Sequence, residues 1–184
     1  MKLLSTLMLV LLCLFIRHYS FSQTLAKGAD ISWLTQMEAQ NIKFYNSAGV
    51  QKDLIPILKE KGMNSIRLRV WVNPVDGWNN MADVLAKAIR AKSNGMRIMI
   101  DFHYSDTWAD PGDQLKPANW SGQNLAALKA SVYNHTYSVL NTLKENQITP
   151  EWVQVGNETN NGMLWEEGKA SVNEQLCAAS QFWL

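Results

Sequence analysis

The sequence predicts an α/β fold, a (β/α)8 barrel of the TIM type, represented here by about its first four βα units. Three observations carry this. Strand-type and helix-type stretches alternate as β-α-β-α-β-α-β-α, with crossovers long enough for parallel strands. Polar residues stand at the carboxyl end of every strand: Asp30, Arg69, Asp101 with His103, and Asn157 with Glu158. No glycine-rich phosphate loop follows the first strand, so the competing doubly wound sheet loses its main signature. A complete barrel needs eight units and usually about 250 residues. The 184 residues therefore read as the N-terminal half of a larger barrel.

In order, Leu25 to Ser32 reads as a short first strand with Asp30 near its end; alone, Asp30 fits a turn or helix N-cap as well. Trp33 to Asn46 reads as irregular, with Phe44 and Tyr45 in a small extended pair. Val50 to Lys61 has helical apolar spacing, with Pro56 tolerable in the first turn and Gly62 as the stop. Ser65 to Val72 is a strand in which Ile66, Leu68, Val70 and Val72 alternate with Arg67, Arg69 and Trp71. The two arginines face either solvent at an edge or a barrel interior, where guanidinium groups orient carboxylates. Met81 to Ala91 is an amphipathic helix closed by Asn94-Gly95, and Met96 to Phe102 a buried strand. Leu125 to Glu145 is a long helix, Trp152 to Val155 the fourth strand, and Ser171 to Phe182 a fourth helix.

Composition narrows the function classes. The net charge is +1, which gives no footprint for nucleic acid or another polyanion. Eight tryptophans are many for this length; indoles suit both cores and carbohydrate sites. Lys2, the apolar run Leu3 to Ile16, and Ser20 and Ser22 at −3 and −1 predict a signal peptide over residues 1–22. The apolar run is too short for a comfortable membrane span, so no stable membrane association is expected. Residues 23–184 would then be an exported domain, secreted or periplasmic, with Cys177 as its one cysteine and no intrachain disulfide.

Two constellations carry chemistry. The first is Trp152-Val-Gln-Val-Gly-Asn157-Glu158, a strand that stops abruptly at a carboxylate before the loop-type run Thr159-Asn-Asn-Gly162. A carboxylate where a buried strand runs out is rigidly held yet can face a cleft. Taken alone, a solvated or capping glutamate explains Glu158 better; the rest of the chain reverses that balance. The second is Asp101-Phe-His103-Tyr-Ser-Asp106-Thr-Trp108. Its Asp and His fit a sugar subsite, with Trp108 stacking on a ring or anchoring the rim. A metal site would want a further nearby His or Cys; neither metal nor cofactor is expected. A serine hydrolase is excluded by the lack of a Gly-x-Ser-x-Gly elbow.

Three stretches resemble glycoside hydrolase family 53, the endo-β-1,4-galactanases that cut the galactan of type I arabinogalactan. They are Ile66-Arg-Leu-Arg-Val-Trp-Val-Asn-Pro74, Asp101-Phe-His-Tyr-Ser-Asp-Thr-Trp-Ala-Asp-Pro111, and Val153-Gln-Val-Gly-Asn-Glu158 with Asn161-Gly-Met-Leu-Trp165. Gly28-Ala-Asp30 fits the family's first strand, and the match runs from about Lys27 to about Gly168. The resemblance implies a retaining hydrolase acting on β-1,4-galactan. It makes Glu158 the acid/base, Asn157 the grip on the sugar 2-hydroxyl, and Arg67 the active-site arginine. Asp30, Asp101, His103 and Trp108 fall on substrate-contacting or adjoining positions.

A retaining glycosidase needs two carboxyl groups about 5 Å apart. In the family the second is a glutamate ending the seventh strand, and no residue of this chain takes that place. The chain alone is expected to be inactive. A related β-1,4-glycanase and a non-catalytic glycan-binding remnant are the alternatives that the residues leave open.

Overall fold

A computed structural model describes residues 25–172. The predicted signal peptide, and the predicted fourth helix beyond Val172, lie outside the described residues; Ser171 and Val172 sit in a turn.

Strand β1 (Gly28–Asp30) is followed by helix α1 (Leu34–Ala39) and a hairpin of β2 (Phe44–Tyr45) and β3 (Gln51–Lys52). Helix α2 (Leu54–Glu60), strand β4 (Ser65–Val70), helix α3 (Met81–Ser93) and strand β5 (Arg97–Phe102) come next. A 3-10 turn (Ala118–Trp120), helix α4 (Leu125–Glu145) and strand β6 (Trp152–Val155) complete the order among the described residues. Four strands form one parallel sheet in the order β1-β4-β5-β6, the order of the chain. This is the curved half of a (β/α) barrel, with every strand ending at the same rim.

Local chemistry sets the helix starts. Asp53 accepts from Ile55 N (2.8 Å), Asn80 from Asp83 N (2.9 Å) and Asn124 from Ala127 N (3.0 Å), each satisfying an orphan donor of a first turn. The expected irregular stretch after Trp33 instead contains α1. That helix has six residues, no side-chain cap and one buried anchor, Leu34, too little periodicity to announce itself. The helix expected from Val50 begins at Leu54, because Gln51 and Lys52 pair with Phe44 and Tyr45. Strand β4 ends at Val70 rather than Val72, because Trp71 N and Val72 N turn to loop carbonyls, Asn79 O (2.9 Å) and Ser105 O (2.8 Å).

The sheet separates two chemistries by strand alternation. Ile66, Leu68, Val70, Ile98, Ile100 and Phe102 point outward and join Val84, Ala88, Leu128, Val139 and Leu143 of α3 and α4 in one core. Removing a fully buried side chain such as Leu68 or Ile100 from water is worth about 1.5–3 kcal/mol. The opposite face is the barrel interior. Register places Asp30 beside Arg67, then Arg69 beside Asp101, and Asp101 beside Gln154. Polar residues thus form two lateral rows, Asp30–Arg67 and Arg69–Asp101–Gln154, which together touch all four strands.

Candidate active site

The rows converge at the carboxyl rim on Arg67. Its Nη1 donates to Asp30 Oδ2 (2.8 Å); its Nη2 donates to Asn157 Oδ1 (2.9 Å) and forms an ion pair with Asp101 Oδ2 (2.6 Å). One guanidinium therefore links β1, β4, β5 and the end of β6, a geometry that lysine's single point charge would not reproduce. Asp30 Oδ1 accepts from Ser32 N (2.9 Å). Burial pushes the Asp30 carboxyl up, but hydrogen bonds from Ser32 and Arg67 and the Arg69 charge outweigh it, and its pKa lies below the usual value.

Asp101 and His103 were expected among the residues at the substrate. Both are buried, at 0% and 1% exposure, and they form an internal strut. Ala109 N donates to His103 Nδ1 (3.1 Å), so the ring hydrogen sits on Nε2, which donates to Asp101 Oδ2 (3.0 Å). Asn157 Nδ2 donates in turn to Ala109 O (2.7 Å). Arg67, Asp101, His103, the Ala109 backbone and Asn157 close a ring of one ion pair and four hydrogen bonds in which each member fixes its neighbour.

Glu158 stands just outside that ring. It is exposed, and among the described residues its carboxylate has neither a hydrogen bond nor an ion pair. Its backbone is unusual: φ is +49°, in the left-handed region that a non-glycine residue seldom occupies. Gly156, two residues earlier, has φ of +83°, and a Cβ there would meet Thr159 Cγ2 at 2.6 Å, so this bend requires glycine. Buried Gln114 clamps the bend, donating from Nε2 to Asn157 O (2.7 Å) and approaching Glu158 O (3.4 Å). Nothing in the local sequence around Gln114 marks it: besides Asp110 O (3.1 Å), its partners lie more than forty residues away.

Arg69 faces neither solvent nor a carboxylate partner, the two alternatives that the sequence left open for the strand arginines: it forms no ion pair among the described residues. It is 1% exposed and packs among three indoles. Burial pulls its pKa down, opposed by the charges of Asp30 and Asp101 and assisted by Arg67. Trp108 lies over it, its ring also 5.7 Å from His103, and stays 43% exposed. No cluster of three or more metal-ligating side chains occurs among the described residues.

A half-barrel with a free carboxylate at its rim, backed by an arginine-carboxylate-amide network and flanked by exposed indole, has the layout of a barrel glycosidase site. The chain belongs to glycosyl hydrolase family 53, whose sequence model matches residues 26–181. An uncharacterized protein of Niallia circulans is 44% identical over 147 residues, covering 80% of this chain and 40% of the relative. A probable arabinogalactan endo-β-1,4-galactanase A of Aspergillus fumigatus is 43% identical over 164 residues, covering 89% and 46%. A solved structure from a pair of fungal β-1,4-galactanases superposes with a TM-score of 0.77 at 40% identity, covering 80% of this chain and 44% of that one. The chain thus spans less than half the length of the curated relatives it matches.

Proposed function

We propose that this chain carries the acid/base half of a retaining endo-β-1,4-galactanase site, and that its substrate is the β-1,4-galactan of arabinogalactan. The observation that carries this is Glu158: an exposed, unpaired carboxylate where β6 ends, held on a strained bend by Gly156 and Gln114. In this reading Glu158 protonates the departing glycosidic oxygen and then takes a proton from water. Asn157 has one Nδ2 hydrogen left after bonding Ala109 O, and offers it to the sugar 2-hydroxyl. Arg67 and Asp30 supply fixed charge beside it, Asp101 and His103 hold Asn157 in place, and Trp108 stacks on a sugar ring. The nucleophile is a glutamate of the other half of the barrel. The reaction needs neither metal nor cofactor. Residues 1–22 act as a signal peptide, residues 23–184 form the N-terminal barrel half, and the site works outside the cytoplasm.

The test uses a barrel completed with the C-terminal half of a galactanase relative. Glu158→Gln keeps size and removes the proton donor; kcat on galactan should fall about 10²–10⁴-fold. Azide should restore turnover of a dinitrophenyl glycoside by attacking the glycosyl-enzyme without a base. Near-normal galactan hydrolysis by Glu158→Gln would refute the assignment. The 184-residue chain alone should release no galacto-oligosaccharide, since it supplies only one of the two carboxylates.

A further inference from the structure

Arg69 is the largest fully buried side chain of the described residues, and the network around Arg67 does not use it. Its Nε and Nη2 are buried with no hydrogen-bond partner. Its guanidinium lies 4.0 Å from the Trp108 ring centroid, 4.9 Å from Trp71 and 5.0 Å from Trp33. The three indoles come from the loops after β5, β4 and β1, so they sit side by side along the rim. Trp33 and Trp108 are 6.0 Å apart at 45°, and each packs edge-on against Trp71, at 6.4 Å and 6.0 Å. Trp71 is 7% exposed and forms the floor; Trp33 and Trp108 remain 40% and 43% exposed.

A buried charge without an ion-pair partner is costly, and apolar residues of similar volume usually serve a core better. Cation–π contact with three desolvated rings offsets part of that cost. What the arrangement does achieve is mechanical. It fixes two large, half-exposed apolar rings at the rim, where a ring free to turn would lose rotamer freedom on binding. An exposed pair of fixed indoles offers the apolar surface on which a pyranose stacks. Trp33 follows β1 and Trp108 follows β5, whose neighbour β6 ends at Glu158.

We propose that Trp33 and Trp108 form a two-ring ledge that binds a pyranose unit of the substrate chain, with Arg69 as the positioning residue that braces both rings. This rests on the reading of the protein as a polysaccharide hydrolase, and it adds Trp33 and Arg69 to that site.

The test is binding of β-1,4-galactotetraose to the 184-residue chain, followed by calorimetry and tryptophan fluorescence, with β-1,4-mannotetraose as a second probe. Trp33→Ala is a change at an exposed position and should weaken galactotetraose about tenfold, as should Trp108→Ala. Arg69→Met should weaken binding to a similar extent and should alter the near-ultraviolet circular dichroism of the free protein while the far-ultraviolet spectrum is kept. Arg69→Lys, which retains charge but not the planar stack, should recover little. Wild-type affinity in Trp33→Ala, or binding of neither tetrasaccharide to the unmodified chain, overturns the ledge. Galactotetraose binding that depends on Trp108 but not Trp33 removes the ledge and leaves the galactan reading standing. Mannotetraose binding alone, dependent on Trp33, supports the ledge and removes the galactan reading.

Discussion

Replacing His135 with phenylalanine should flatten the acid dependence of stability. His135 lies on the stripe Leu128, Val132, His135, Val139 and Leu143 by which α4 faces the sheet. Its ring meets Phe102 edge-on at 5.8 Å, Tyr104 at 6.2 Å and Trp120 at 6.2 Å, and its Nε2 is buried without a partner. Burial lowers its pKa from 6.5 to about 4. The fold thus favours the neutral ring, while the unfolded chain takes up a proton at about 6.5. The stability that the neutral ring contributes is whole above pH 6.5 and is lost as pH falls toward 4. At about 1.36 kcal/mol per unit, the loss approaches roughly 3 kcal/mol. Urea unfolding of both proteins between pH 4 and pH 8 measures it. At pH 8 His135→Phe should be at least as stable, since no buried nitrogen is left unpaired. Below pH 6.5 the gap should widen in its favour. A gap that does not change with pH would refute the account of His135 as a buried neutral base.

Lys87 is fully buried in α3 and donates to Asp83 Oδ2 (2.7 Å), Ser32 O (2.7 Å) and Asn79 Oδ1 (3.1 Å). Lys87→Met strands a nearly buried Asp83 and should cost about 3–5 kcal/mol in urea unfolding; less than 1 kcal/mol would mean that the pair is solvated. Gln114→Ala in the completed barrel should lower kcat on galactan about ten- to a hundredfold with KM little changed, because the Asn157 and Glu158 carbonyls lose their clamp. A change confined to KM would place Gln114 in binding rather than in positioning Glu158. Exported protein should begin at Gln23, as intact mass would show; retention of residues 1–22 would sink the signal-peptide reading.

The alternation of Ile66, Leu68 and Val70 with Arg67 and Arg69 announced a strand with one apolar and one polar face, and the parallel sheet realises it. Helix α4 was legible to the residue, because twenty-one positions repeat one apolar stripe behind an asparagine cap. Helix α1 and the hairpin were less so, being too short for periodicity to average over. At the site, Asp30, Arg67, Asp101, His103, Trp108, Asn157 and Glu158 could all be picked out from strand ends and motif resemblance. Gln114, Trp33 and the separate duty of Arg69 could not.

The sequence by itself determined which residues lie on the interior face and which strand ends carry polar groups, because a period of two along a strand is a local property. Only the tertiary structure decided how those groups are shared. Parallel register set Asp30 beside Arg67 and Arg69 beside Asp101, and loop packing turned Arg67 toward carboxylates and Arg69 toward indoles. Two arginines two residues apart on one strand thus received opposite roles. Apart from Trp71, their surroundings are assembled from positions thirty to ninety residues distant, where no local pattern reaches.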